Sequence, residues 1–520
     1  MNNGHNSGLK TADTKIKDLN ELAGLLDSIR TEGRKIIHCH GVFDLLHIGH
    51  IRHFQQAKEL GDVLVVTITQ DKFVNKGDGR PAFTEQLRAE ALAALDCIDF
   101  VCINQWPLSA DTIRLLKPHV YVKGSDYKQS DDDHTGGILL EEEAIKSVGG
   151  ELVFTDEITF SSSHLINRHL PVLPNGASDY VIGLSDRYSS KDILGYLDGA
   201  RSLKILTIGE AIIDEYVYCE ALGKSGKEPV LVSRQMDSER FAGGIVAVAN
   251  NVAVFSDKVG LLTFLGQVDS HEDFIKDHLN QDIDSTFLSM EGDSPTILKR
   301  RFVDRSPFHV QKLFELYVMD NGESKPNESR ALYEKLQELI PQYDVVLVTD
   351  YGHGMISPEV VDLLCSEARF LALNTQMNAG NLGFNTVSKY SRADFLCVSE
   401  NELRLDARSR RRDLQEIVKD ISAKLSCDRI IITKGSEGCL CYGTEEGFFT
   451  VPALTSSVID RVGAGDSVFA VSNLLAAQGA PIEIVGFVGS LAGAQAVATV
   501  GHKDSLDRVS LIRHMETLLK

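Results

Sequence analysis

Apolar and polar positions along this chain follow two rhythms. From Lys35, short aliphatic and β-branched runs (KIIHCHGVF, DVLVVTIT, FVCIN, HVYVKG, ELVFT) alternate with stretches whose apolar residues recur at helical spacing, as at Ile51, Phe54, Ala57 and Leu60. Apolar strands alternating with helices predict βαβ units around a parallel sheet. The pattern runs to about His169 and breaks at LPVLPNGASD, where two prolines stand with Asn175 and Gly176. Residues 180–200 read as a connecting helical piece. A second series opens at LKILTIGEAIIDEY and continues through DVVLVTDYG, FLALN, DFLCVSE and RIIITKG. The expected organisation is a leader (1–34), a first domain (35–169), a linker (170–202) and a second domain (203–520), the fold class being α/β with two doubly wound parallel sheets. RSRRRD, from Arg408 to Asp413, reads as a solvated helix start.

Length and charge narrow the functions open to such a chain. At 520 residues it exceeds one ordinary core, and 43% hydrophobic with 24% charged residues is globular composition. Fifty-three basic against 74 acidic residues leave a formal charge of -21, so neither nucleic acid nor an acidic membrane is an expected partner. A phosphate ligand has to be met by a local pocket. MNNGHNSGLK lacks an apolar core, and no stretch approaches the roughly 18 apolar residues of a membrane span. Nine cysteines without a repeating CxxC pattern fit a reducing cytoplasm.

GVFDLLHIGH, residues 41–50, lies on a strand-to-helix corner, and ligands of α/β sheets bind beyond the carboxyl ends of the strands. His47 and His50 would occupy the first helical turn, where unpaired backbone N–H groups and the helix dipole favour an anion. Imidazole N–H groups add donors that follow charge onto phosphate oxygens, and Gly49 leaves room for close approach. Together with His38, His40 and His53, His47 and His50 raise a metal site as the competing reading. No carboxylate or cysteine at usual zinc spacing accompanies them, and His38 and His40 read as ordinary strand residues.

These residues resemble the G-x-F-D-x-x-H-x-G-H signature of the cytidylyltransferase-like nucleotidyltransferases. TQDKFVNKGDGRP, VKGSDY and FSSSHLINR resemble later segments of that family, in order, within residues 35 to 169. The resemblance extends to the adenylyltransferase half of the bifunctional heptose-phosphate kinase/adenylyltransferases. It implies a Rossmann-like domain in which a sugar or alcohol phosphate attacks the α-phosphorus of ATP or CTP. His47, His50 and Lys76 would be catalytic; Gly41, Phe43, Gly49, Arg80, Ser162 and Ser163 would line the nucleotide; and Asp44, Lys123 and Asp126 would face the acceptor. Ser161 is open to a plain helix-cap reading.

The second candidate is VIDRVGAGDSVFA, residues 458–470, which joins a strand-like run to an apolar helix. Gly463, Ala464 and Gly465 would offer successive N–H groups to an anion, and Asp466 would stand beside them as base for a hydroxyl nucleophile or as a plain helix cap. The stretch resembles the D-T-x-G-A-G-D signature of ribokinase-like (PfkB) sugar kinases. FAGGIVAVANNVA, PTILKRRFV, VTDYGHG and TKGSEG resemble other segments of that family, in order, over about residues 203 to 505. The resemblance implies a catalytic Asp466, a nucleotide loop at Gly435, Ser436 and Gly438, sugar contacts at Asp214, Gly243 and Gly244, a metal-side Glu402, and a β-hairpin lid from EYVYCEALGKSGKEPVLVSRQ. LGKSGKE is no P-loop, because the required first glycine falls on Tyr218. Four segments depart from the family pattern: its asparagine falls on Ala247, N-x-x-E reads Ser399 to Glu402, D-P-K reads Asn374 to Gln376, and the lysine after D-Y-x reads His353.

The combined expectation is a bifunctional sugar kinase and sugar-1-phosphate nucleotidyltransferase making a nucleotide-activated, heptose-like sugar, with the two halves in reversed order. Its ligands would be a sugar or sugar phosphate, ATP (or CTP) and Mg2+, and its expected assembly a homodimer. The competing expectation keeps the transferase and makes the second domain a sugar-binding or regulatory module.

Overall fold

In a computed structural model of the chain, the structure describes residues 12–77, 79–124, 137–155, 173–174, 176–305, 310–320 and 325–520. They divide into two compact units, the first running to Val172 and including Glu516–Leu518 and Lys520, the second holding Leu173–Met515 and Leu519. Ser161, Ser162, Ser163 and Asp126 lie outside the described residues.

The first unit is built on β1 (Ile36–Gly41), β2 (Val63–Ile68), β3 (Phe100–Ile103), β4 (Val120–Gly124) and β5 (Glu151–Thr155). They form one sheet in the order β3-β2-β1-β4-β5, with every pair parallel. Helices cover both faces, so β2 reads VLVVTI and is buried throughout. The helix Leu19–Thr31, placed in a leader by the sequence reading, is part of this unit. Leu19, Leu22 and Leu26 are buried on one face, and Asp18 caps its start. Strand order reverses between β1 and β4, which opens a crevice at their carboxyl ends.

The second unit contains β6 (Lys204–Gly209), β7 (Ala211–Lys224), β8 (Leu231–Gly244), β9 (Lys258–Leu265), β10 (Ile283–Ser289), β11 (Ile297–Arg305), β12 (Val310–Val318), β13 (Val345–Asp350), β14 (Leu371–Thr375), β15 (Phe395–Ser399), β16 (Arg429–Thr433), β17 (Cys439–Gly443) and β18 (Gly447–Val451). Nine of them form the main sheet, β10-β9-β6-β13-β14-β15-β16-β17-β18, which is parallel up to β16 and antiparallel beyond it. The order reverses between β6 and β13, and the second crevice opens there.

The expected hairpin lid is the β7–β8 pair, but it belongs to a larger element. A second hairpin, β11–β12, adds to β7 and makes a four-stranded sheet, β12-β11-β7-β8. Beyond Cys219 the outer half of β7 is exposed, while its root is buried. The connecting residues 180–200 fall in two helices, Ala177–Ser185 and Ser190–Gly199, that pack with the second unit: Arg187 pairs with Glu483 at 2.6 Å, and Gln478 Nε2 donates to Tyr196 O at 2.9 Å.

Candidate active sites

In the first unit, β1 ends at Gly41 and the chain reverses over itself. Phe43 adopts the left-handed region (φ 50°), and a Cβ at Gly41 would meet its ring at 2.9 Å, so only glycine lets the ring fold back. Phe43 meets His50 edge to face at 5.3 Å and packs on Phe54 at 5.0 Å. His47 is the N-cap of the helix Ile48–Glu59, its Nδ1 accepting from Gly49 N at 3.1 Å. A ring nitrogen that accepts carries no proton, so the neutral His47 ring holds its proton on Nε2. His50, one turn on, stacks on His47 with ring centres 4.0 Å apart. The corner thus aligns two imidazoles at a helix start, with the Gly49 N–H taken by the His47 cap.

Asp44 and Arg80, assigned to opposite ligands in the sequence reading, form one ion pair. Arg80 Nη1 lies 3.6 Å from Asp44 Oδ2 with both side chains almost wholly buried, and Phe83 N donates to Asp44 Oδ1 at 3.1 Å. Burial lowers the Arg80 pKa, with Asp44 opposing the shift. Lys76 is half-buried in the same loop. Across the crevice, Lys123 at the end of β4 is ion-paired with buried Glu141 at 2.9 Å. Ser109 Oγ donates to Glu141 at 2.5 Å and lies 2.8 Å from Tyr121 OH. His38 and His40 share Thr67 Oγ1 at 2.8 Å each, and burial pushes both rings down to about 3, so they are neutral. Among the described residues no group of three or more His, Cys, Asp or Glu is placed to hold a metal ion.

One residue that sequence reasoning missed ties this site together. Arg88, buried on the helix Glu85–Ala93, donates to Val42 O at 2.5 Å, Thr69 O at 2.8 Å, Phe83 O at 2.9 Å and Asp71 Oδ1 at 2.5 Å. Those acceptors lie on the loops after β1 and β2 and, at Phe83, two residues before its own helix. A lone arginine in a helix reads as solvated, so its pattern carries no signal.

In the second unit, Gly463 is the N-cap of the buried helix Ala464–Ala476 and takes the left-handed conformation (φ 77°). Ala464 N donates to Arg461 O ahead of the helix at 3.5 Å, and the Gly465 N–H, in the first turn, has no carbonyl partner within the helix. Asp466 is buried there, and Gln376 Nε2 donates to its Oδ1 at 2.7 Å. Burial pushes the Asp466 carboxyl up to about 6, against the opposing effects of His502 and the Gln376 hydrogen bond. Gln376, one of the departures from the family pattern, is thus in contact with the candidate base.

Asp214, buried near the root of β7, pairs with Arg301 of β11 and lies 3.8 Å from His502 Nε2. Lys299, on the same row of the lid sheet as Asp214 and Tyr317, is buried over the Tyr317 ring at 5.2 Å and the Tyr351 ring at 5.9 Å. Burial lowers its pKa, with Asp214 opposing. Between β6 and β13, Glu210 accepts from Tyr351 N at 3.1 Å and His353 N at 3.0 Å, and burial, then Asp350, raises its pKa. Gly243 faces the Asp214 carboxylate, and Gly244 (φ 57°) turns the chain into the helix Ile245–Ala253. Ala247 is buried in that helix; the polar contact comes one turn later, from Asn251 Nδ2 to Ser467 Oγ at 3.1 Å.

Gly435, Ser436 and Gly438, expected in a nucleotide loop, lie on an exposed turn after β16. Gly438 (φ 87°) is needed there, since a Cβ would meet Val451 O at 2.1 Å. Glu402, expected on the metal side, is otherwise engaged: Oε2 accepts from Ser399 N at 2.7 Å and Oε1 from Met377 N at 3.1 Å. Ser399 reciprocates as N-cap, which makes a capping box.

The fold and its two strand-end crevices define an α/β protein of two doubly wound units, one roofed by a β-sheet lid. Residues 202–508, more than half of the chain, match the family model for pfkB family carbohydrate kinases, and the chain belongs to that family. Residues 38–168 match the cytidylyltransferase-like family. Among curated relatives, bifunctional protein HldE of Geobacter metallireducens is 39% identical over 165 residues, 31% of this chain and 32% of that protein. HldE of Citrifermentans bemidjiense is 44% identical over 122 residues, 23% of this chain and 25% of that protein. These matches fall on the amino-terminal part, and the chain spans about a third of such relatives or less. Among solved structures, Escherichia coli phosphofructokinase-2 aligns with TM-score 0.49 and 16% identity, over 61% of this chain and 100% of that one. Thermotoga maritima ribokinase aligns with TM-score 0.45 and 16% identity, over 59% and 98%. No helix among the described residues is long and apolar enough to cross a membrane.

Proposed function

We propose that the chain is a bifunctional enzyme in which the carboxyl-terminal unit phosphorylates a sugar or sugar phosphate with ATP and the amino-terminal unit couples a sugar 1-phosphate to a nucleotide. The product is a nucleotide-activated, heptose-like sugar for cell-surface glycan synthesis, with ATP or CTP as the second nucleotide. The observation that carries the kinase half is Asp466, a buried carboxylate at the first turn of a helix, oriented by Gln376.

In the kinase step, the sugar hydroxyl gives its proton to Asp466 as its oxygen attacks the γ-phosphorus, and ADP leaves. N–H groups of the Gly463–Gly465 turn face the phosphate oxygens, while Asp214 holds a second sugar hydroxyl. In the transferase step, a sugar-phosphate oxygen attacks the α-phosphorus and pyrophosphate leaves. His47, with its proton on Nε2, and His50 donate to phosphate oxygens as charge builds on them, Lys76 adds positive charge, and Lys123 lies on the acceptor side. Mg2+, when bound on the triphosphate, would neutralise its charge. It commonly keeps its waters and needs only one or two protein carboxylates, so the donors here fit a metal that arrives with the nucleotide.

Incubating the full chain with Mg2+, ATP or CTP, and a panel of sugars and sugar phosphates, with products identified by mass, tests both halves. Phosphorylated and nucleotidylated products support the reading. A protein that binds sugars without phosphorylating any favours the second reading, a sugar-binding or regulatory module, for which Ala247 in place of the family's asparagine speaks.

A further inference from the structure

The two motif glycines of the carboxyl-terminal site share a physical requirement that anion binding does not explain. A Cβ on Gly463 would lie 2.1 Å from His502 Cε1, with both ring nitrogens at 2.8 Å. A Cβ on Gly243 would lie 2.1 Å from Asp214 Oδ2 and 3.3 Å from His502 Cδ2. One imidazole therefore fills the space between the turn before Asp466 and the carboxylate at the lid root. Its Nε2 points to Asp214 Oδ2 at 3.8 Å, and its side chain is 10% exposed.

The loop that carries this ring is pinned on both sides. Ahead of it, Gly501 N donates to Asp460 Oδ2 at 3.0 Å, and Asp460 also accepts from Tyr216 OH of β7 at 2.5 Å. Behind it, Leu506 N donates to Asn251 Oδ1 at 3.0 Å, and Asn251 bonds Ser467 on the helix of Asp466. The lid strand, the Gly243–Gly244 helix and the Asp466 helix therefore all bear on where His502 stands. An anchored imidazole wedged between two functional elements differs from one packed in a core, which would have apolar neighbours and no carboxylate in front of its nitrogen.

We propose that His502 is a positioning residue of the sugar site, holding the Asp214 carboxylate on the side opposite Arg301 and keeping the Gly463 turn in register with it. The inference rests on the kinase reading of this unit. Asp214 sits between two nitrogen groups, Arg301 Nη1 bonded at Oδ1 and the His502 ring with Nε2 3.8 Å from Oδ2. With His502 removed, only the Arg301 side is held, and the carboxylate can swing toward the guanidinium and away from the acceptor. The loss then falls on acceptor binding and its alignment rather than on ATP.

The test compares the full chain with His502→Ala, His502→Phe and His502→Gln, using Mg-ATP with ribose, fructose 6-phosphate and heptose 7-phosphate as acceptors. Phe fills the space against Gly463 and cannot donate; Gln keeps a donor. The expected result is a KM for the acceptor raised about tenfold or more in both Ala and Phe, a partial return in Gln, and a KM for ATP within about twofold of wild type. A Phe variant indistinguishable from wild type would mean that the ring only packs, and the proposal fails while the kinase reading stands. A change confined to the KM for ATP also overturns it. If wild type turns over no acceptor, the kinase reading falls and takes this inference with it. Should the Ala variant not fold, the Phe and Gln pair decides.

Discussion

Replacing Asp466 with asparagine separates chemistry from stability in one substitution. The carboxyl is buried, and burial raises its pKa from the ordinary 3.8 to about 6. Because the folded-state value lies above the unfolded one, the unfolded chain releases this proton first as pH rises. Stability is therefore full below about pH 4 and lost as pH climbs through 6, by on the order of 3 kcal/mol. Asparagine keeps an oxygen for Gln376 Nε2 and never ionises. Asp466→Asn should thus be more stable than wild type at pH 7.5, by up to about 3 kcal/mol, and the two should converge near pH 4. Activity moves the other way. An amide cannot accept the hydroxyl proton, so kcat for sugar phosphorylation should fall about a hundredfold or more. In wild type the carboxylate is about nine-tenths ionised at pH 7 and about one-tenth at pH 5, so kcat should drop roughly tenfold across that interval. Acceptor-dependent ADP formation and thermal unfolding, both followed from pH 4 to 8, measure these effects. Asp466→Asn with kcat within about threefold of wild type, or a wild-type kcat flat from pH 5 to 7, would refute the assignment of Asp466 as base.

His47→Ala and His50→Ala should each cut acceptor-dependent pyrophosphate release about a hundredfold or more while ADP formation by the same protein is unchanged, since the sites lie in separate units; equal loss of both in a folded variant would count against that separation. Gln376→Ala removes a donor to the Asp466 carboxylate, so the acid limb of the kcat profile should move to higher pH with the KM for ATP little changed. Glu141→Gln strips Lys123 of its buried partner and should destabilise the first unit by on the order of 3 kcal/mol in chemical denaturation, with a raised KM for the sugar phosphate.

What the sequence disclosed tracks what each element buries. The parallel strands were legible because both faces are covered, which turns β2 or β13 into an unbroken apolar run. The strand-to-helix corners at His47 and Gly463 were legible from their glycines and polar residues. The β11–β12 hairpin shows in the sequence only as the motif PTILKRRFV, because the face it turns to the site is polar. Lys299 and Arg301 project there toward Asp214 and Glu315, so no apolar alternation marks β11 as a strand. His502 and Arg88 stand in no recognisable motif, and each takes its place from partners distant in sequence. The capping box was written in the chain all along: S-x-x-E at Ser399 and Glu402 is the pattern of a reciprocal helix start, and that is how the structure uses it.

The departures from the sugar-kinase pattern bear on which reading of the second unit survives. A buried polar group without a partner costs about 1–3 kcal/mol, so the partners that the substituted residues make bear on the choice. Here Gln376 bonds the candidate base, Ser399 and Glu402 complete a helix cap, and His353 Nε2 lies 3.5 Å from Asn378 Nδ2. Asn374 donates to Cys397 O at 2.7 Å, leaving its Oδ1 without a partner among the described residues. Of the substituted residues, Gln376 acts on the Asp466 carboxylate itself. That pattern fits a site whose substrate has changed better than one whose chemistry has lapsed, and it makes Gln376, together with Asp214 and His502, the place to look for what the acceptor is.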